Sequence, residues 1–219
     1  MITLTTFQWA PPFAHGLVRD LRVRWALEEA GLAYQQKLLA PGANDGAEYR
    51  AVQPWGQVPV IEEDGLVLFE SGAIVQYIAD RSTALSPTDP KGRARVAQWI
   101  MAALNSVEPA VTGLLLIDVF YPEEAWAKAR RPGAEEFARL KLASLARRLK
   151  GREYLEDAFT AGDVMMVTVL RFLRHTNIVT DDPVLGPYVA RCEARPAFKK
   201  ALADQLATFA AHAPQPEPA

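Results

Sequence analysis

The stretch Gln53-Pro-Trp-Gly-Gln-Val-Pro-Val-Ile61, with the later pair Glu70-Ser71, sets the expectation for the rest of the chain. It is typical of a turn-rich loop that leads into a short strand. Pro59 stands at the head of that strand, where a missing backbone N–H is tolerated. Val58 can then offer its own N–H and C=O to another extended segment. Ser71 follows at a helix start, where free backbone N–H groups favour an anion, so we expect a site for a small acidic peptide in extended form.

The composition is that of an ordinary globular protein. The chain has 219 residues, enough for one large or two ordinary domains, and 50% of them are apolar and 23% charged. The formal net charge of −2 gives no indication of binding to nucleic acid or to an anionic membrane. No run approaches ~18 consecutive apolar residues, so we predict no membrane-spanning helix.

Two further features concern the compartment. Residues 1–7 lack a basic segment followed by a long apolar run, so we expect no signal peptide. The single cysteine, Cys192, excludes an intrachain disulfide and indicates a reducing compartment. We interpret Cys192 as a buried or half-buried helical thiol and not as a nucleophile.

Apolar periodicity in the first 81 residues predicts the order β-α-β-α-β-β-α. The elements are expected at residues 2–7, 17–30, 34–39, 48–52, 58–61, 66–69 and 71–81. Gly31 is the stop signal of the first helix, and Asp64-Gly65 is the turn of a hairpin. The first two strands should be parallel and the last two antiparallel, which gives a small mixed sheet covered by helices.

The second half of the sequence predicts only helices. Residues 82–90 have the composition of a linker, and residues 91–211 are expected to form one all-helical domain. Pro109 should kink a long helix, and Pro122 and Pro132-Gly133 should bracket a shorter segment. Thr160-Ala-Gly-Asp163 predicts a capping box, so these residues are interpreted as structural. Residues 212–219 are predicted to be a disordered tail.

This order of domains resembles that of the cytosolic glutathione transferases. Four motifs carry the resemblance, which extends over residues 1–211: the loop Gln53–Pro59, the pair Glu70-Ser71, the helix Arg22–Tyr34 and the cap Thr160–Asp163. The resemblance implies an α+β fold. A thioredoxin-like N-terminal domain with a mixed four-stranded sheet would occupy residues 1–81, and an all-α C-terminal domain would follow.

The resemblance also implies a glutathione-binding site. Val58 would pair with the cysteinyl backbone of glutathione, Pro59 would follow a cis peptide bond, and Gln57 would contact the peptide near its glycyl end. Glu70 and Ser71 would bind the γ-glutamyl amine and carboxylate. Simpler roles remain open: Pro59 as the trans start of an edge strand, Ser71 as an N-cap alone, and Glu70 as a solvated surface acid.

The residue that activates the glutathione sulfur departs from the family's pattern. A Tyr, Ser or Cys usually follows the first strand, but Phe7 stands at the tyrosine position and Leu17 or Val18 at the serine position. Arg19 is the first candidate, because a cation in the first turn of a helix opposes the helix dipole unless an anion lies nearby. His15 is the second candidate.

Each catalytic candidate has an alternative. Arg19 could simply pair with Asp20 or with a surface acid, and such exposed pairs contribute little to stability. His15 could be a solvated loop residue. Backbone N–H groups at the helix start could also stabilise a thiolate alone.

The resemblance implies an enzyme that conjugates the glutathione thiolate to an apolar electrophile, with glutathione as co-substrate and no metal. A pocket for the electrophile is expected to contain Trp9, Phe13, Val107, Val111 and Tyr121, although these residues could equally belong to the core or an interface.

Other functions stay open on the same scaffold. One is glutathione-dependent isomerisation, dehalogenation or peroxide reduction. Another is a non-catalytic glutathione-binding or protein-interaction module, which the missing Tyr, Ser or Cys favours. The family resemblance further implies a detoxifying homodimer. The single cysteine favours a cytoplasmic location, and the composition predicts no binding to nucleic acid or membrane. In that dimer the hairpin and third helix would pack on the long helix after residue 91 of a second copy.

Overall fold

The computed structural model describes residues 1–214, so most of the predicted tail, 215–219, lies outside the described residues. The chain divides into two compact units. The first contains Met1–Arg81 together with the chain from Pro196 onward, and the second contains Ser82–Arg195.

The first unit contains the predicted mixed sheet. Its strands are β1 (Ile2–Phe7), β2 (Tyr34–Leu39), β3 (Val60–Glu63) and β4 (Leu66–Phe69), in the order β2-β1-β3-β4. β1 and β2 are parallel, with Ile2 opposite Tyr34. β3 is antiparallel to both β1 and β4. The predicted four-stranded mixed sheet is therefore confirmed.

Helices α1 (Asp20–Ala30), α2 (Ala47–Val52) and α3 (Ser71–Ala79) connect these strands. Helix α1 ends at Gly31 as predicted, but it begins three residues later than the predicted Leu17. The reason is a side chain from the far end of the sequence. Gln205 accepts a hydrogen bond from the Gly16 N–H (2.9 Å) and donates to the Val18 carbonyl (3.3 Å), which ties this backbone outside the helix.

Helix α9 (Pro196–Ala211) also belongs to this first unit, and not to the helical domain in which we expected it. It packs along α1, where the rings of Trp25 and Phe198 meet edge to face with centroids 4.8 Å apart. Trp25 is completely buried, and this large apolar side chain provides the physical reason for the contact. The boundary of the predicted all-helical domain, 91–211, therefore differs from that of the compact unit.

The second unit, residues 82–195, consists of helices joined by turns and bends and contains no strand. It contains α4 (Pro90–Met101), α5 (Glu108–Leu115), α6 (Ala125–Leu149), α7 (Ala161–Leu170) and α8 (Leu185–Glu193). Single π-helical segments at Ala102–Val107 and Leu116–Phe120 flank α5. Pro109 lies in the first turn of α5, where its missing N–H is tolerated. The helical irregularity that we expected at Pro109 is found just before it, as the π-helical segment Ala102–Val107.

The predicted break at Pro132-Gly133 is wrong. Helix α6 is 25 residues long, and Pro132 lies inside it without interrupting it. A proline removes one donor from the helix, while buried side chains on both sides of Pro132, Ala127 before it and Leu142 after it, hold the two halves in place. Packing therefore overrides the local preference.

One helical run in the described chain, Pro90–Phe120, is long and apolar enough to cross a membrane by length and composition alone. The mean hydropathy of its most apolar window is 1.6, and 44% of that window is buried. Core helices of soluble proteins pass the same test, so this run is weak support for a membrane span.

Candidate functional site

The loop before β3 is fixed by its own side chains. Gln53 is buried, and its Oε1 accepts hydrogen bonds from the backbone N–H groups of Trp55 (2.8 Å) and Gln57 (3.1 Å). Gly56 has a φ of +65°, and a Cβ there would lie 2.6 Å from the Asn44 carbonyl oxygen. Only glycine fits both the backbone angle and this close approach. The loop therefore has a defined shape before any ligand arrives.

Tyr49 of α2 holds the same loop from a second direction. Its hydroxyl donates to the Gln57 carbonyl at 2.7 Å. Burial raises the pKa of Tyr49 to about 12, so the hydroxyl keeps its proton and remains a donor at neutral pH. The backbone of Gln57, one of the predicted glutathione contacts, is consequently anchored.

Val58 and Pro59 lie directly before β3, an inner strand of the sheet. The peptide bond between them is cis, the form that the resemblance implied, and not the trans alternative. The β3 ladder begins at Val60, two residues later than predicted. Within residues 1–214 no backbone hydrogen bond involves the Val58 N–H or C=O. These two groups are the free pair that an extended peptide requires.

Glu70 and Ser71 form the start of α3. Glu70 is the N-cap residue and has a φ of +69°, which is uncommon for a residue with a side chain and is typical of a functional site. Ser71 is the first helical residue and so is not the N-cap, which removes that simpler role. It is buried, and its Oγ accepts a hydrogen bond from Arg22 Nη1 at 3.1 Å.

The start of α1 carries the two catalytic candidates. Arg19 is the N-cap residue of α1 and is half-buried. Its neighbour Asp20 is fully buried and is held by Arg24 Nε and Gln205 Nε2, each at 2.6 Å. His15 Nε2 lies 2.8 Å from the Ala10 carbonyl oxygen.

The contact of His15 limits what it can do. A carbonyl oxygen only accepts, so Nε2 carries the proton in that bond. The ring also packs against Phe209 of α9, with centroids 5.2 Å apart. His15 therefore fastens the loop before α1 and is not the solvated loop histidine that was the alternative.

The residues predicted for the electrophile pocket are distributed over both units. Phe13 is 48% exposed and Trp9 half-buried in the loop of the first unit. In the helical unit Val111 is completely buried, so this side chain offers no surface to a ligand, and Val107 is 6% exposed. Tyr121 is exposed beside Trp126 in a groove of about 590 Å³ between the end of α5 and α6.

Arg22 and Thr6 are polar residues whose positions the sequence did not predict. The sequence indicated only that the region around Arg22 is basic. The sequence signal that could have identified Arg22 is a charge on the apolar face of an amphipathic helix.

Thr6 Oγ1 is buried at the end of β1 and has no hydrogen-bond partner among the described residues. Among residues 1–214 no group of three or more His, Cys, Asp or Glu is arranged to hold a metal ion.

Comparison with known proteins gives a consistent result. Residues 11–80 match the family model described as the glutathione S-transferase N-terminal domain. A glutathione S-transferase of Hyoscyamus muticus is 30% identical over 194 residues, covering 83% of this chain and 92% of the relative. Glutathione S-transferase GstB of Escherichia coli K12 is 30% identical over 189 residues, with 83% and 91% covered.

Solved structures agree with these relatives. A glutathione transferase from Burkholderia graminis, with two glutathione molecules bound per subunit, has a TM-score of 0.79 at 28% identity, covering 92% of this chain and 87% of that one. A theta class enzyme from Xanthomonas axonopodis pv. citri, with glutathione bound, has a TM-score of 0.77 at 29% identity, with 92% and 96% covered.

Proposed function

Because this chain belongs to the glutathione S-transferase family, we propose that it joins the sulfur of glutathione to an electrophilic carbon of an apolar co-substrate. Its general function is glutathione-dependent transfer, as in the relatives that carry this name. The observation that carries the proposal is the unpaired backbone of Val58 beside β3.

Glutathione would bind along the first unit in extended form. Its cysteinyl N–H and C=O would pair with the Val58 backbone, and Gln57 would lie near the glycyl end. The γ-glutamyl carboxylate would meet Ser71 and the free N–H groups at the start of α3, and Glu70 would bind the amine. The support for this arrangement is the anchored loop and the buried Ser71 hydroxyl.

The reaction requires a thiolate. A free thiol has a pKa of about 8.5, and positive charge or a helix N-terminus lowers this value. Here Arg19 and the Asp20 backbone N–H at the start of α1 are the proposed stabilising groups. The N–H groups of Leu21 and Arg22 donate to the carbonyls of Val18 and Arg19, and His15 donates its Nε2 proton to Ala10. The thiolate would form a C–S bond while the leaving group departs with its electron pair, and the thiol proton would pass to solvent.

Two measurements test this function. Calorimetry should show glutathione binding, and a panel of electrophiles that includes 1-chloro-2,4-dinitrobenzene should yield conjugates. Turnover of halides, isomerisable substrates or peroxides in place of conjugation would identify one of the other enzyme chemistries. Binding without any turnover would favour a non-catalytic module, the candidate that Phe7 at the usual tyrosine position supports. Failure to bind glutathione would contradict both enzyme hypotheses.

Replacing Arg19 by alanine is expected to raise the apparent pKa of bound glutathione by about 0.5 to 1.5 pH units, because a cation near the thiolate is removed. The thiolate absorbance of the complex, followed against pH, measures this shift. Lys37→Ala is the control, since Lys37 is an exposed cation of β2 in the same unit. An unchanged profile in Arg19→Ala would remove Arg19 from the mechanism.

A homodimer is part of the proposal, and β4 supplies the surface. This edge strand exposes Leu66 and Val67, which are 40% and 44% exposed, and Trp55 nearby is 59% exposed. Val67→Glu should convert the dimer into a monomer in light scattering at micromolar concentration, because a carboxylate would be buried at the interface. Val67→Thr, which keeps the β-branched shape, should remain dimeric. A monomeric wild type would contradict the proposal.

A cytoplasmic location and a role in detoxification complete the proposal. The support is the family itself and the one cysteine, Cys192, which is buried as a free thiol. Burial raises the pKa of this thiol, so it is a poor nucleophile. Cell fractionation tests the location.

A further inference from the structure

A groove in the helical unit runs between α5, the Leu116–Phe120 segment and α6, and its volume is about 590 Å³. Pockets for small molecules commonly have volumes of about 300–1,000 Å³, so this groove is large enough for an aromatic ring system with a short side chain. Its lining residues all lie between Pro109 and Phe137, within one compact unit. The groove is therefore a feature of the helical unit alone.

Two glycines inside helices keep the groove open. Gly113 of α5 and Gly133 of α6 both line it, and a Cβ at either position would have no contact with the surrounding structure within 4 Å. Neither glycine has a positive φ, so the backbone conformation does not require it, and a glycine in a helix is less favourable than alanine. Space is thus left unfilled here at a cost in helix stability, as expected where another molecule comes close to the backbone.

Three aromatic side chains also line the groove. The rings of Tyr121 and Trp126 pack with their centroids 5.2 Å apart, and Phe137 lies about three turns further along α6 than Trp126. The three side chains are 46% to 50% exposed. Large aromatic side chains grouped on one exposed surface are typical of a binding site, and their rings offer flat apolar faces to a ligand.

Hydrogen bonds fix the Leu116–Phe120 segment before any ligand binds. Asp118 accepts from Arg131 Nε (2.7 Å) and Nη2 (3.1 Å), and His175 Nε2 lies 3.2 Å from Asp118 Oδ2. The adjacent Ile117 lines the groove. The segment is π-helical, a conformation that is frequent at functional sites. This side of the groove is therefore held in one position.

Arg130 supplies the charge of the groove, since every other lining residue is uncharged. Lys128, Arg131 and Arg139 of the same helix half each form an ion pair, at 2.9, 2.7 and 2.8 Å. By contrast, no group within residues 1–214 forms a hydrogen bond or an ion pair with the exposed Arg130 side chain. Its uncompensated charge favours an anionic ligand, and a guanidinium matches a carboxylate through two parallel N–H donors.

We propose that this groove binds a small aromatic carboxylate that is not a substrate of the transfer reaction. The ring of the ligand lies over the two helical glycines and against the aromatic side chains, and its carboxylate pairs with Arg130. The inference goes beyond the proposed function, because the proposed glutathione contacts, residues 57–71, belong to the first unit. Binding in the groove therefore does not require glutathione.

The first experiment measures the charge preference by calorimetry, with the full chain at neutral pH. The probes are naphthylacetate and naphthylacetamide, which have nearly the same shape but differ in charge. Wild type should bind the carboxylate about 3 to 10 times more tightly, between the effects of an exposed ion pair and of a buried charged hydrogen bond. Arg130→Met should reduce this preference to about 1.5-fold or less. Arg147→Met, which removes an exposed arginine of α6 outside the groove, should leave it unchanged.

Gly133→Leu tests the location of the site. The new side chain enters open space, and leucine is a better helix former than glycine, so the fold should be kept. The affinity for both probes should fall by at least about 10-fold, because the side chain takes the space of the ring. Gly113→Leu repeats the test from the other helix. Ala143→Leu is the control, since it enlarges an exposed position of α6 outside the groove.

Several results would overturn the proposal. One is a wild type that binds neither probe, and another is a charge preference that persists in Arg130→Met or an affinity that persists in both leucine variants. Competition between naphthylacetate and glutathione would also contradict a separate site, whereas an equal affinity at saturating glutathione would support it.

Two other occupants of the groove are distinguished by further measurements. A higher KM for the electrophile in Gly133→Leu would make the groove part of the electrophile pocket, for which Tyr121 was predicted. A change from dimer to monomer in the same variant, seen by light scattering, would make it an interface with a second copy. Either result would overturn the proposal, and an unchanged KM and mass would support it.

Discussion

Replacing Asp163 by alanine is expected to lower the free energy of unfolding by about 3–5 kcal/mol. The carboxylate is completely buried. It accepts hydrogen bonds from the backbone N–H groups of Leu155 (3.0 Å) and Thr160 (2.9 Å) and from the hydroxyls of Thr160 (3.2 Å) and Tyr188 (2.9 Å). Alanine would leave all of these donors buried without an acceptor, in addition to removing the capping box of α7.

The Tyr188 hydroxyl cannot avoid the loss of its acceptor, Asp163, by giving up its proton. Burial, together with the nearby Asp163, raises the pKa of Tyr188 well above its usual value, so its hydroxyl stays a donor. Urea denaturation followed by circular dichroism measures the effect. Asp157→Ala is the control, since Asp157 is a fully exposed acid of the same segment. A change of less than about 1 kcal/mol in Asp163→Ala would contradict this account of the cap.

Replacing Gln205 by alanine is expected to cost about 2–4 kcal/mol in stability and to lower transferase activity by a larger factor than glutathione binding. Gln205 is completely buried on α9, and its amide bonds to the Gly16 N–H, the Val18 carbonyl and the Asp20 carboxylate. These three groups border the start of α1, where the sulfur is proposed to be activated. Losing them should let the loop and the helix start move relative to the bound peptide.

Leu206→Ala is the matched control for this variant. Leu206 is the next residue of α9, is 36% exposed, and makes none of these bonds. Steady-state kinetics measured below the melting temperature determined for each variant separates activity from unfolding. If Gln205→Ala keeps the wild-type kcat/KM, the α9 contact has no part in shaping the catalytic end of the site.

Local signals predicted much of the first unit. The glycine at 31 ends α1, and Asp64-Gly65 forms the tight turn of the hairpin, with both residues at positive φ. These features depend on a few adjacent residues, which is why a single sequence exposes them. The direction of each strand followed from the length of its connections and is also as predicted.

Long-range contacts were the part that the sequence could not supply. Gln205 and Asp20 are separated by 185 residues, and no local pattern indicates that an amide on one helix orders the start of another. The 25-residue helix α6 passes through Pro132 because tertiary packing outweighs one missing donor. Arg22 gave a signal, a charge on a helix that is otherwise apolar on that face, but its partner Ser71 was visible only in the fold.

The pairing of α9 with α1 has a consequence for how the protein is made. A ribosome releases the sheet and α1 first, then the whole of Ser82–Arg195, and only afterwards the helix that covers Trp25. The helical unit is continuous in sequence, whereas the first unit is split into two segments. The sheet and α1 therefore emerge before the helical unit but are completed after it, so their apolar face stays uncovered while the helical unit is translated. A stop codon just before Pro196 would keep all residues of the helical unit but remove α9, which would expose Trp25 and the apolar side of α1 in the first unit.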